Sequence, residues 1–357
     1  MTDLRRPAVG QEGRDPPGGR GGGAPDDGTP AVSRALLEDG SLALAADAET
    51  WDAVEPWVPR VPPRVPAPGE ARAWLRARAG APTFAVPGDA PDLDLRGVLG
   101  WIRPSGEILL HGPDGRVSGV VDPSARVAEV RLRAPREEGG ASGVEIFAAL
   151  TLASAFLVGR LRRTLVHAGA VVAPDGRAWL LAGGTFSGKT TTCLNLIRGG
   201  WDYLADDHVV LGPDDGGELA VEGWPRRFNL DLGYTAGESR GVRSRMDPEA
   251  FGPGRWRRCA PLGGVLFPRV EAASPTAATP LHPAGALSRL LQQSPWLLAD
   301  PGAARPLLAL LERAARHPAF ELRLGADSYA EPARLRAVVE TASISPPPPA
   351  SGPERPA

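Results

Sequence analysis

Residues Leu180 to Leu211 read LLAGGTFSGKTTTCLNLIRGGWDYLADDHVVL. Inside this stretch stands Gly183-Gly184-Thr185-Phe186-Ser187-Gly188-Lys189-Thr190, the spacing of a phosphate-binding loop. An acid pair, Asp206-Asp207, follows 17 residues after Lys189. The loop speaks for a bound nucleoside triphosphate. The short interval to the acids narrows the kind of protein that binds it.

Working outward, Val171-Val172 and Ala178 to Ala182 are apolar runs separated by Pro174-Asp175-Gly176, a pattern that predicts a hairpin. The second strand feeds directly into the glycines. Thr190 to Ile197 then has helical spacing, with Leu194 and Ile197 on one face. Gly183, Gly184 and Gly188 free the backbone to aim N–H groups at phosphate oxygens, and the helix N-terminus adds its positive end. Thr185, Phe186, Ser187 and Thr191 complete the expected nucleotide-contacting set. Lys189 would reach the β- and γ-phosphates of ATP, and the Thr190 hydroxyl would sit on Mg²⁺. With 44 glycines in the chain, a chance match is the competing explanation. The strand–loop–helix context is what speaks against it.

Gly199-Gly200 suits the end of that helix. Tyr203-Leu204-Ala205 is expected to be a short strand opening onto Asp206 and Asp207, with Val209-Val210-Leu211 extended beyond. An acid at a strand end beside such a loop can hold a metal, and its neighbour can accept a hydroxyl proton. A solvated Asp-Asp turn is the plain alternative.

Leu165-Val166-His167-Ala168-Gly169, taken with Leu180 to Leu211, resembles the catalytic domain of HPr kinase/phosphorylase and its smaller relatives. In that family a histidine before the loop, the loop itself and an Ala-Asp-Asp segment line one phosphate site. His167, Lys189, Thr190, Asp206 and Asp207 fall on those positions in order. The resemblance implies an α/β P-loop kinase domain of the HPr kinase and phosphoenolpyruvate carboxykinase type, using ATP and Mg²⁺. It further implies a serine-type hydroxyl of a protein or peptide as acceptor, by analogy a natural-product precursor peptide. Asp207 is assigned as base and Asp206 as its partner at the metal, although the residues themselves do not rank the two. Departures exist: Phe186 replaces a small residue, Thr191 stands where HPr kinases tend to carry glutamate, and the downstream glycine-rich signature is missing, with Glu222 its weak substitute. These leave open a small-molecule kinase, or an ATP-binding regulatory or scaffold protein whose catalysis has decayed. Phosphoenolpyruvate carboxykinase also carries Gly-Lys-Thr-Thr and an acid pair before histidine, as in Asp206-Asp207-His208, but those enzymes are considerably longer.

The rest of the 357 residues sets bounds. A net charge of −2 gives no electrostatic case for nucleic acid or an anionic membrane as partner. Lys189 is the sole lysine among 40 basic residues. Two cysteines, Cys193 and Cys259, suggest neither disulfide framework nor metal spacing, and with no apolar leader core a cytoplasmic location is expected. Residues 1–31 and 342–357, rich in glycine and proline, are expected to be disordered tails. An accessory region is expected over 32–135, β-rich from about 83, with an extended linker at Pro56 to Pro68. It is read as a flap without chemistry, in preference to a dedicated peptide-recognition module. The catalytic unit is expected over 143–341, opening with a helix from Gly143 to Arg163. Gly263 to Arg269 reads as a buried strand ending at Pro268. Helices are expected at Pro283 to Leu291, Ala304 to Arg316 and Pro332 to Val339, with a strand at Phe320 to Leu324. Arg226 and Arg227 are candidates for charge neutralisation, with a solvated pair the favoured reading. The true HPr kinases form rings, but no oligomer contact can be traced here.

Overall fold

The structure is a computed structural model that describes residues 31–59, 64–133, 140–224, 226, 228–231, 243–247, 250, 252 and 254–344. It is a mixed α/β fold with two large sheets. The expected tails fall almost wholly outside the described residues, as does Arg227; Ala31 already opens the first strand.

The N-terminal part contains β1 (Ala31–Ala35), β2 (Leu42–Asp47), α1 (Ala48–Val54), β3 (Ala73–Ala79), β4 (Leu93–Leu95), β5 (Val98–Ile102), β6 (Ile108–His111), β7 (Val117–Asp122) and β8 (Val127–Leu132). They form one eight-stranded sheet in the order β1-β2-β3-β8-β7-β6-β5-β4. β4 to β8 are joined by successive hairpins, as the Pro-Ser-Gly and Pro-Asp-Gly-Arg turns predict. The β content nevertheless begins at Ala31, well before residue 83. β2 pairs with β3, and β3 with β8, in parallel. Parallel partners are distant in sequence, so these strands carry no hairpin signal. The expected linker opens as a helical turn, Glu55–Trp57, that continues α1.

α2 (Gly143–Arg160) follows, started by a capping box in which Ser142 and Glu145 satisfy each other's backbone N–H groups. Every residue from Glu145 to Gly159 is buried. The helix is long and apolar enough to cross a membrane, but 83% of it is buried inside the protein. Expected to open the second unit, it packs equally on the first: its Ile146, Leu150, Leu152 and Phe156 share one core with Leu44, Leu75, Leu110 and Val130 of the first sheet. The accessory region is therefore joined to the rest through a common core.

The second sheet takes β9 (Thr164–Val166), β10 (Ala168–Val172), β11 (Ala178–Ala182), α3 (Lys189–Arg198), β12 (Asp202–Ala205), β13 (Val209–Pro213), β14 (Leu219–Gly223), the small ribbon β15 (Phe228–Asp231) and β16 (Arg243–Met246), then β17 (Cys259–Val270) and β18 (Ala277–Pro280). α4 (Pro283–Gln292), α5 (Pro301–Ala315), β19 (Ala319–Leu324), α6 (Asp327–Ala330) and α7 (Pro332–Ile344) complete the chain. The order is β12-β10-β11-β17-β14-β13-β9, with β19 beside β17 and β18 beside β19. α4 and α5 cover one face, while α3 and α7 cover the other.

β17 does not end at Pro268. It runs on to Val270, because its pairing with β11 stops at Leu266 and only β19 accompanies it further. A proline without an N–H is tolerated where one flank has no partner strand.

Gly223 marks a very tight crossing of two strands. A Cβ there would lie 2.1 Å from Leu204 Cδ2 and 2.2 Å from Leu204 O. Backbone cannot yield as a side-chain tip can. Gly223→Ala is expected to lower stability by about 3 kcal/mol in urea unfolding, at the upper end of overpacking costs; an unchanged midpoint would show that the two strands can separate freely.

Candidate active site

The site forms where the second sheet splits. β9 pairs with β13, but one residue later β10 pairs with β11 and β12. His167 is the residue at that switch. It was expected within a strand; instead it stands in the break, its backbone N–H donating to Gln293 O at 2.9 Å. A second switch lies between β12 and β13, and Asp206, Asp207 and His208 occupy it. Residues freed from ladder pairing at both breaks turn their side chains toward each other. His167 Nε2 is 3.0 Å from Asp207 Oδ1.

Arg226, just beyond β14, closes the group. Its Nη2 donates to Asp207 Oδ2 at 3.2 Å and approaches His208 Nδ1 at the same distance. It is buried, contrary to the solvated pair favoured from sequence, because the rings of Trp57 and Phe147 lie under its guanidinium at 5.8 and 5.5 Å. Phe147 also stacks 5.0 Å from the His208 ring. Tyr203 Oη lies 3.4 Å from Asp206 Oδ1 and 3.1 Å from Arg226 O.

The two acids are driven apart in character. Burial pushes Asp206 up to about 7, and the neighbouring Asp207 charge adds to this. Its residue is only 7% exposed. Burial also opposes ionisation of Asp207, but the His167 hydrogen bond and Arg226 hold its carboxyl well below the ordinary range. His208 itself is pushed down to about 3, by burial first and by Arg226 and His167 among its neighbours. A neutral His208 has no charge to lend, and its Nδ1 serves as acceptor for Arg226. The ionised state of Asp207 therefore rests on His167 and Arg226.

The glycine-rich loop connects β11 to α3. Gly188 begins the helix at φ 99°, where a Cβ would lie 2.4 Å from Leu324 Cδ1. No side chain caps the helix, so its first N–H groups point into the loop. The Lys189 ammonium donates to Gly183 O at 2.7 Å and Gly184 O at 3.0 Å. Burial lowers its pKa, while Asp207 and then Asp206 work to raise it. The lysine and both acids thus feel one another's charge. Thr185 and Gly184 are exposed, Thr190 and Thr191 half-buried, and Ser187 Oγ is buried without a hydrogen-bond partner. Phe186 sits at φ 64°, left-handed, with 58% of its surface exposed.

Glu222, considered for the missing signature, is engaged elsewhere. It accepts from Glu38 N at 2.6 Å and Arg258 Nη2 at 3.1 Å, and pairs with Arg163 at 3.3 Å. It ties the second sheet to the loop after β1. Among the described residues no group of three or more His, Cys, Asp or Glu side chains could hold a metal ion. Thr190 offers an oxygen donor suited to a Mg²⁺ ion that takes most of its shell from phosphate oxygens and water, and Asp206 would join it on giving up its proton. His208, Tyr203, Phe147 and Trp57 were not foreseen as site residues; only His208, following the acid pair, carried any sequence signal.

No protein-family model and no curated protein matches the chain. The solved structure of the Hpr(Ser) kinase/phosphatase from Coxiella burnetii aligns with 51% of this chain and 97% of that one, at 13% identity and a TM-score of 0.30. That likeness is too slight to bear on activity.

A carboxyl with a higher pKa folded than unfolded favours folding below the unfolded value, here 3.8, and loses that contribution as pH rises through about 7. Wild-type stability is therefore expected to fall between pH 4 and pH 8 by up to about 4 kcal/mol on account of Asp206 alone. Asp206→Asn should flatten that fall in urea unfolding at pH 4, 6 and 8. Superimposable profiles for the two proteins would contradict a buried, protonated Asp206.

Proposed function

We propose that this chain is an ATP-dependent kinase that transfers the γ-phosphate to a serine-type hydroxyl of a protein or peptide. The observation that carries the reading is the ionised Asp207, held by His167 and Arg226 within electrostatic reach of the loop lysine. Each group has a task in phosphoryl transfer. The loop backbone and Lys189 hold the β- and γ-phosphates. Asp207 accepts the hydroxyl proton as the acceptor oxygen bonds to the γ-phosphorus and the bond to the β–γ bridging oxygen breaks, releasing ADP. The low proton affinity of Asp207 is no obstacle: in a loose transition state the nucleophile needs positioning more than deprotonation. His167 orients the carboxylate, and Arg226 keeps it charged. Thr190, with Asp206 once ionised, would hold Mg²⁺, which would supply charge neutralisation.

The serine-type acceptor and a cytoplasmic setting rest on the resemblance and the composition. A protein or peptide acceptor rests on the same resemblance.

Isothermal titration with ATP–Mg²⁺, followed by transfer to serine peptides in the same samples, tests the reading. Lys189→Ala is expected to weaken binding about 100-fold or more. Asp207→Asn should bind ATP within about threefold of wild type yet lose transfer by at least about 100-fold. Full turnover in Asp207→Asn would sink the base assignment, and an ATP affinity indifferent to Lys189→Ala would sink the kinase.

A further inference from the structure

The turn between β4 and β5 consists of Arg96 and Gly97, both left-handed at φ 53° and 86°. Two-residue turns of this mirror type favour Asn, Asp or Gly at the first position. An arginine there is strained, and strained residues concentrate where their side chains are used. Asp94 braces the turn by accepting from Gly97 N at 2.9 Å.

The Arg96 guanidinium lies 5.0 Å from the centre of the Phe147 ring, the ring that also carries Arg226 at 5.5 Å and His208 at 5.0 Å. Trp57 supports the same ring from 5.0 Å. The N-terminal sheet therefore delivers a cation to the edge of the acid pair. Arg226 already has Asp207 as its counter-ion. Among the described residues no carboxylate pairs with Arg96, and its charge opposes protonation of Lys189 and of His208. Arg96 thus adds a cation, felt by Lys189, beside the group that Lys189 and Arg226 form with the ionised Asp207. Like charges assembled without enough protein anions suit an external ligand bearing several negative charges.

We propose that Arg96 binds the terminal phosphate of a nucleoside triphosphate together with Lys189, stabilising the charge that spreads over its oxygens during transfer. This rests on the kinase reading above and gives the N-terminal sheet a part in the chemistry. Phe147 holds the guanidinium flat by cation–π contact, fixing its approach without consuming its hydrogen-bond donors.

The test titrates the full chain with ADP and with a non-hydrolysable triphosphate analogue, each with Mg²⁺, comparing wild type, Arg96→Gly, Arg96→Lys and Lys189→Ala. Glycine accepts the left-handed turn, so Arg96→Gly should melt no lower than wild type, which separates ligand contact from fold support. Arg96→Gly is expected to lose about tenfold or more in triphosphate affinity while ADP affinity changes less than about twofold. Arg96→Lys should recover part of the loss, since it restores charge without the planar fork. Unchanged triphosphate affinity in Arg96→Gly, or an equal loss for both nucleotides, would overturn the proposal. A wild-type chain that binds neither nucleotide would remove the kinase reading, and this inference with it. Lysine-dependent binding that ignores Arg96 would remove this inference alone.

Discussion

The structure depends on one helix that has no polar face. α2 is buried from Glu145 to Gly159 around its whole circumference. An α-helix of that kind cannot lie on a surface; it needs apolar cover on every side. One sheet covers one side only. The N-terminal strands supply the rest, and the shared core runs from Leu44 and Leu75 through Phe156 and Leu157 to Leu165 and Val210 of the second sheet. Each fully buried side chain of this size contributes about 1.5–3 kcal/mol, so the two sheets are joined far more strongly than a flap and its lid. The buried Glu222, gripped by Arg163 and Arg258 and accepting from Glu38 N, fixes their register at one edge.

What α2 holds together also shapes the candidate site. Phe147, on its first turns, is the platform against which His208, Arg226 and Arg96 are arranged. The acids occupy one strand switch and His167 another. The site thus lies in the opening of a sheet whose two halves diverge, with β17 spanning both. Burial at this opening sets the chemistry: the same low-dielectric surroundings that keep a proton on Asp206 make the partners of Asp207 effective in keeping it charged.

Much of the second sheet was legible because its signals are local. The β10–β11 hairpin announces itself by Pro-Asp-Gly, and the loop and α3 by glycine spacing and helical period. His167, Lys189, Asp206 and Asp207 come from that same short stretch, which is why they could be named together. What escaped depends on distant partners. β2, with Leu42 to Ala46 all buried, lacks the alternation that betrays a half-exposed strand, and its parallel neighbour lies beyond a helix. Arg226 looks solvated until Trp57 and Phe147 arrive from far upstream. Arg96 sits in an Arg-Gly turn whose only sequence cue is a residue poorly suited to it. Pro268 reads as a strand end unless one knows that β11 has already stopped alongside.

The lone lysine has a further consequence. Forty basic residues include a single ε-amine, and the fold sets it against the loop carbonyls with its pKa lowered by burial. A depressed ammonium releases its lone pair more readily than one in water. Any electrophile that seeks side-chain amines therefore has one address on this chain, and that address is the floor of the loop. Acylation there would erase the one ammonium that the loop carbonyls of Gly183 and Gly184 hold. The chain's chemical vulnerability and its candidate catalytic centre are the same atom.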